Sequence, residues 1–550
     1  MAELAIAPVV SKPKASRRGR AVGIVGVLTA FVAGFGYLRE AALAARFGLS
    51  PTMDAYFGAV FIPMTIYAVL IGGTLSPVFI PILLREDATE GRPKLSETFS
   101  VVTNFALLFL AAIVCCAMIT TRQWLALLFP GFSPQTAAVT ARLVYMVFPS
   151  LLFLATAGIL SAALNGFHKF ALAAFAPIVS SVSIISAALL ARGSRAIYVV
   201  CLATAVGFAL QCVLLIPAVA SLGIQYRLVL NFRHPALRQL LRVGGPLFLY
   251  LVVANGALFL EKNLASHLSV GAVSTLAYAM KLFVVPANFM AAPLAVVYYT
   301  DFAREAVREG YGDLRSQVSR MLRLVVFVFL PMTVWIILNA LPLTRLMYER
   351  GQFRLQDSLA TAGPLAVYAI GILPNAIAVI LLRCFYAIQD TVTPLLAETI
   401  DLVFYAIVAT VLTRHFGIRG LALTRGLSFF VVTAVLVGVL SRKRKLLTID
   451  RDLLSFVFKT GLASVVMAVA SGIALHFLQP FFDAGKSSMR LVIVSIVFAT
   501  SGAAFLGVAR LLKLSEAADI LKALRAMVSR GEGQGLENVV ELPSATGVSP

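Results

Sequence analysis

Runs of about twenty apolar residues recur along the whole of this 550-residue chain. Each is long enough to cross a hydrocarbon layer of ~30 Å as a helix. Nothing else in the sequence limits the fold so severely. Backbone inside lipid must satisfy every N–H and C=O internally, and helices and closed barrels are the structures that do so. The runs are continuous rather than alternating, so the pattern is not that of an outer-membrane barrel. The sequence therefore predicts an all-α polytopic membrane protein. About fourteen transmembrane helices can be drawn, over 21–47, 54–84, 97–120, 136–166, 170–192, 196–222, 240–268, 272–300, 321–347, 358–387, 391–413, 418–441, 453–478 and 488–512.

Charge orders these spans. Only 13% of residues are charged, against roughly 25% in soluble domains. The net charge of +21 resides mostly in short loops between spans. That distribution is the positive-inside pattern and not a nucleic-acid surface. Lys12, Lys14, Arg17, Arg18 and Arg20 precede the first span, and an even number of spans returns the C-terminus to the same side. Both termini are expected in the cytoplasm. The apolar run continues to Phe47, too long for a signal peptide, so the first helix reads as uncleaved. Cys115, Cys116, Cys201, Cys212 and Cys384 all lie in apolar runs without metal or disulfide spacing, and they read as small core residues.

The chain also repeats itself. An offset of 223 residues places Gly48 on Gly271, Pro63 on Pro286 and Arg39 on Lys262; an offset of 225 places Pro149 on Pro374. The expected organisation is a basic tail (1–20), a six-helix lobe (21–222) and a parallel six-helix lobe (240–441) around a central cavity. Two additional helices (453–512) would follow, then an amphipathic helix and a disordered tail (513–550).

Charges inside spans cost at least ~2.5–3.5 kcal/mol, so they usually face a partner or a watery space. Arg39 and Glu40 sit side by side in "GFGYLREAAL", and Glu261 and Lys262 sit at the matching place in "FLEKNLAS". Either these are interfacial helix ends, or they face each other across a cleft and bind an anionic head group. Lys281 supplies a third cation, and an Arg with two Lys suits phosphate. Glu398 and Asp401, three apart on one helix face, form a candidate Na+ or H+ site. Arg383, Arg425 and Lys459 read as interfacial anchors. The five histidines are scattered, and neither a catalytic constellation nor a P-loop is present. The chain reads as a transporter without catalysis, bound cofactor or metal.

With these residues in place a family can be named. "GYLREAALAARFGLSPTMDAYFGAVFIP", "GGTLSPVFIPIL", "ILSAALNGFHKFALAAFAP", "YERGQFRLQDSLATAGPLAVYAIGILP" and "CFYAIQDTVTP" resemble the MurJ (MviN-type) lipid II flippases. That family lies within the multidrug/oligosaccharidyl-lipid/polysaccharide exporter superfamily. The resemblance spans about residues 21–445. It implies two six-helix lobes forming a V-shaped cavity, with two extra helices beside a groove for the lipid tail. It also implies alternating-access flipping of an undecaprenyl-diphosphate-linked peptidoglycan precursor across the bacterial cytoplasmic membrane. Membrane potential or an ion would drive the cycle, in a monomer working beside cell-envelope synthesis enzymes. Arg39 and Glu40 match the family's first-helix Arg-acid pair, Asp54 its acid before the second span, and Lys281 its eighth-span Arg. Ala33, Tyr67, Ala68, Gly72 and Val284 stand where the family usually carries charged or other residues. Three alternatives stay open: another lipid-linked glycan of O-antigen or exopolysaccharide type as cargo, an ion-coupled small-molecule antiporter, or a membrane scaffold.

Overall fold

The computed structural model describes residues 15–306, 313–442, 444, 446–447 and 450–518. Among them every regular element is a helix, apart from a single bridge between Arg350 and Phe353. The first half holds α1 (Ala15–Phe47), α2 (Pro51–Tyr67), a π-helical segment (Ala68–Leu75), α3 (Ser76–Ile119), α4 (Thr121–Leu128) and α5 (Pro134–Val147). It continues with α6 (Ser150–Gly166), α7 (Phe170–Phe175), α8 (Pro177–Leu190) and α9 (Ala196–Ala220). The second half holds α10 (Pro235–Ser266), α11 (Ala272–Pro286), a π-helical segment (Ala287–Ala291), α12 (Ala292–Ala306), α13 (Leu314–Leu338) and α14 (Ala340–Tyr348). Then come α15 (Leu355–Ala369), α16 (Ile372–Ala387), α17 (Val392–Arg442), α18 (Arg451–Ala484) and α19 (Ser487–Leu511).

Local chemistry sets many of these boundaries. Ser50, Ser133 and Asp450 accept the N–H of Met53, Thr136 and Leu453 with their side chains, ending the loop and starting a helix. Pro51, Pro134, Pro177 and Pro235 open helices where their missing N–H costs nothing. Among the described residues eight segments are able, by length and composition, to cross a membrane, or ten if each bent pair counts as one. Two expected breaks are softer than the sequence suggested. Helical backbone runs through 51–119 and 392–442, departing only at Gly91 (φ 75°) and Gly417 (φ 54°). Glycine alone adopts these angles without strain, so it turns the chain where a polar loop was expected.

The offset read from the sequence has structural counterparts. Gly48 and Gly271 are both left-handed, with φ of 58° and 85°. Each π-helical segment follows one of the aligned prolines, Pro63 and Pro286. Pro149 and Pro374 sit at the bends of α5–α6 (44°) and α15–α16 (47°). Proline removes a ladder hydrogen bond and clashes one turn back, so helices bend there.

Packing is close within each half. α1 lies on α7 and α8, α2 on α5, and α6 and α8 on α9; α10, α15 and α16 gather on α17. α18 and α19 pair with each other, and α18 also packs on α13. Large apolar side chains such as Val213, Ile407, Phe458 and Phe477 are exposed, as expected where hydrocarbon is the solvent. Cys115 and Cys116 belong to that exposed surface rather than to the core, whereas Cys201, Cys212 and Cys384 are buried. The helical phase of α3 turns the first two outward, which a continuous apolar run does not reveal. Residues 1–14 and most of the expected C-terminal amphipathic helix lie outside the described residues.

Candidate functional site

Arg39 and Glu40 emerge near the C-terminal end of α1, and Lys281 lies on α11 from the other half of the chain. An Arg39 guanidinium nitrogen stands 2.8 Å from Glu40 Oε1, and Lys281 Nζ stands 3.6 Å from the same oxygen. The carboxylate is buried, while the side chains of Arg39 and Lys281 keep 25% and 43% of their exposure. Tyr37 reinforces the junction by donating to the Lys281 carbonyl at 3.4 Å. Two cations thus share one acid, leaving a net positive charge that is partly exposed. Glu40 Oε2 is buried without a hydrogen-bond partner. Of the three cations expected to gather, Arg39, Lys262 and Lys281, the structure brings Arg39 and Lys281 together on Glu40, while Lys262 pairs with Glu261.

The second acid–base pair behaves differently. Glu261 is 1% exposed, and its Oε2 lies 3.3 Å from Arg425 Nε and 3.4 Å from the Tyr405 hydroxyl. Lys262 Nζ is 3.9 Å from Glu261 Oε1. It is also in electrostatic reach of Asp54, Arg425 and Lys281. Arg425 stacks over the Tyr405 ring at 4.6 Å, with Nη2 buried and unpartnered. Glu261 therefore balances an internal arginine rather than facing Arg39 across a cleft. Arg425, read as an interfacial anchor, is a buried partner inside the second half. The sequence did carry a signal. Gly420, Thr424 and Ser428 recur every four residues to one side of Arg425, and Ala422 and Gly426 to the other, small residues that let neighbouring helices approach closely.

Asp54 is a joint rather than a cavity ligand. Its two carboxylate oxygens accept the backbone N–H groups of Gly271 and Ser274, both at 2.7 Å. It therefore caps α11 from the start of α2, with a full negative charge at the positive end of that helix. Other main-chain contacts close the same end of the bundle. Gln352 N donates to the Ala45 carbonyl at 2.8 Å, Gly131 N to Ser266 Oγ at 3.2 Å, and Asn263 Nδ2 to the Leu127 carbonyl at 2.7 Å. Glycine permits this approach. A Cβ on Gly131 would lie 2.2 Å from the Ser266 carbonyl oxygen, and one on Gly351 would lie 2.3 Å from that of Ala45.

Glu398 and Asp401 share α17 but have separate partners. Tyr250 donates to Glu398 Oε1 at 3.5 Å, and Ser428 donates to Asp401, which is buried. Among the described residues no three His, Cys, Asp or Glu side chains gather as a metal site.

The comparisons with known proteins bear on this arrangement. The family model described as "Lipid II flippase MurJ" matches residues 43–505. This chain belongs to the lipid II flippase MurJ family. The probable lipid II flippase MurJ of Rickettsia prowazekii (strain Madrid E) is 26% identical over 498 residues, covering 90% of this chain and 97% of that protein. The lipid II flippase MurJ of Burkholderia cenocepacia is 28% identical over 374 residues, covering 65% and 71%. Among solved structures, a lipid II flippase MurJ in an inward closed conformation superposes with a TM-score of 0.74 at 23% identity, covering 89% of this chain and 99% of that one. A multidrug MATE transporter of the MOP superfamily in an inward-facing conformation reaches 0.61 at 15% identity, covering 76% and 98%. These likenesses establish the fold, and the protein is a multi-pass membrane protein of the MurJ family.

The structure also explains the motif "CFYAIQDTVTP". Gln389 is left-handed at φ 58° and turns the chain. Asp390 then accepts the Thr393 N–H at 3.0 Å and the Thr393 hydroxyl at 2.9 Å, starting α17. Arg444 completes the turn at 2.8 Å from Asp390. Burial alone would raise the Asp390 carboxyl, but the Thr393 and Arg444 donors outweigh it and hold it below the ordinary carboxylate range. In this MurJ-family chain the motif starts a helix.

Proposed function

We propose that this chain flips lipid II, the polyprenyl-diphosphate-linked peptidoglycan precursor, from the inner to the outer leaflet of the bacterial cytoplasmic membrane. The observation carrying this reading is the sharing of Glu40 by Arg39 and Lys281, one cation from each half of the chain. A diphosphate is drawn to that excess positive charge and competes with Glu40 for both cations. In the empty state Glu40 keeps the cations from standing unpaired, where isolation would be costly. When cargo leaves, Glu40 takes the cations back and helps release it.

Our reading of the topology is fourteen passes. The segments 51–119 and 392–442 each count as two passes divided at Gly91 and Gly417, the two bent pairs count as one each, and α1 and the α11–α12 segment add one each. Two six-helix lobes, 21–222 and 240–441, then carry the site between them, with α18 and α19 added outside. Both termini lie in the cytoplasm, and the end closed by Asp54 faces outward. Alternation opens that end while the other closes. The driving force in this reading is the membrane potential acting on the cavity charge, or Na+ or H+ at Glu398 and Asp401. The protein acts as a monomer beside the enzymes that make and consume its cargo.

The test is complementation of a strain depleted of its own lipid II flippase, with native mass spectrometry of the extracted protein to identify co-purifying lipid. Rescue together with a bound undecaprenyl-diphosphate muropeptide is expected. Failure to rescue despite correct insertion, with a different lipid-linked glycan bound, would replace the cargo and leave the fold reading intact.

A further inference from the structure

We propose that the hairpin formed by α4 and α5 is a second anion site, which binds the phosphate of a lipid head group at the end of the bundle read here as outer. A cavity of about 790 Å³ elsewhere on the molecule mixes Glu90 and Glu97 with its cations. By contrast, the α4–α5 cavity of about 640 Å³ is lined by Arg122 and Arg142 with no acidic residue. Helical spacing explains the convergence. Arg122, Leu125 and Phe129 repeat along one face of α4 and its end, while Arg142 and Tyr145 lie on one face of α5. Both arginines stand far from the connecting turn, so they share the open end of the hairpin.

In pairing these arginines differ from three others. At the same end of the molecule Arg345 and Arg490 both bind Glu349, at 2.6 and 3.0 Å, and Arg350 donates to Ser487 and to carbonyls. Arg122 and Arg142 are exposed and make no hydrogen bond or ion pair with any described residue. Cations are also the residues that the outward face of a bacterial membrane protein usually lacks. Two guanidinium groups and a tyrosine hydroxyl lining one cavity supply donors of the kind a phosphate accepts.

The floor selects an amphiphile. Phe129 and Phe132 stack at 4.8 Å beneath the mouth, and Leu125 adds an aliphatic wall. A free phosphate uses the arginines and leaves the apolar floor wet, whereas a phospholipid covers both. The hairpin also meets the outer seam through Gly131 and Leu127, so an occupied site lies against the element that must part during transport.

The experiment is native mass spectrometry of the purified full-length protein with added phosphatidylglycerol, with diacylglycerol of the same chains, or with inorganic phosphate. Wild type is expected to take up one phosphatidylglycerol more than the Arg122→Gln/Arg142→Gln variant, whose apparent affinity falls roughly tenfold or more. The Arg122→Lys/Arg142→Lys variant should lie between the two, and diacylglycerol should not bind. If inorganic phosphate saturates wild type and phosphatidylglycerol shows no preference over it, the phosphate chemistry stands with a free anion as ligand. Equal phosphatidylglycerol uptake by wild type and a folded glutamine variant, or equal uptake of diacylglycerol, would overturn the site. Flipping is not read out, so the result is independent of the cargo assigned above.

Discussion

The Asp54 carboxylate accepts the N–H of Gly271 at 2.7 Å across 217 positions of sequence. One acid on α2 therefore anchors the start of a helix in the other half of the chain, and the closed end of the bundle depends on its charge. Asp54→Asn puts an amide NH2 where an acceptor is needed. The lost charge-assisted bond is worth about 1.5–3 kcal/mol, or roughly tenfold or more in the closed-to-open ratio. Labelling of a Val273→Cys reporter by an impermeant maleimide, in a background without the native cysteines, should rise by that factor. Unchanged labelling would mean that the cap does not control closure.

Arg39→Lys keeps the charge but loses the planar fork, so flipping should fall while folding is retained. Arg39→Ala should abolish flipping, and Glu40→Gln should slow release of cargo more than its binding. Single-turnover flipping in proteoliposomes separates these effects. Full activity in correctly inserted Arg39→Ala protein would remove Arg39 from the cargo path.

Gly131→Ala should prevent the outer end from closing, because its Cβ would enter the Ser266 carbonyl. Gly351→Ala adds backbone strain at φ 56° to the same kind of clash. Gly472→Ala in α18, where a Cβ meets nothing within 4 Å, is the control and should behave as wild type or slightly better. The maleimide reporter distinguishes loss of closure from simple unfolding. Equal accessibility in all three variants would contradict the seam.

Arg425→Ala strands Glu261 in the core, and breaking a buried pair typically costs about 3–5 kcal/mol. Thermal stability in detergent should drop sharply, whereas Glu261→Leu combined with Arg425→Met should recover much of it. A single substitution as stable as wild type would show that the pair is dispensable.

Asp390 supplies the pH dependence. Its folded carboxyl is held below the ordinary range, so its contribution is present above the unfolded value. It is lost as pH falls below roughly 4 towards the folded value. Asp390→Asn should therefore lower the unfolding temperature near neutral pH, and its deficit should shrink as the medium is acidified. A deficit constant from pH 7 to pH 3 would assign it to something other than the charge.

Much of the architecture was legible in the sequence because lipid imposes a simple rule on composition. The paired glycines and prolines have structural counterparts at matching turns and bends, and Arg39, Lys262 and Lys281 were set apart by the cost of charge in spans, though Lys262 joins Glu261 instead of Glu40. What remained hidden depends on the direction in which a side chain points. Glu261 and Lys262 are neighbours in sequence, yet one turns into the core toward Arg425. Asp54 looked like a cargo ligand because its true partners are backbone amides, which no residue type announces. The polar residues around Gly91 and Gly417 announced loops, yet helical backbone continues up to each glycine, which turns the chain by itself.

The glycine seam also fixes how closing ends. Repulsion between main-chain atoms rises so steeply that the joins at Gly131 and Gly351 act as end stops with a single resting position. Attraction between packed atoms is short-ranged too, and a gap of 0.5–1 Å already forfeits a quarter to a half of it. Most of the dispersion attraction across the seam is therefore gained over the last ångström of travel. The outer end has little hold on a half-shut state, and it snaps rather than eases between shut and open.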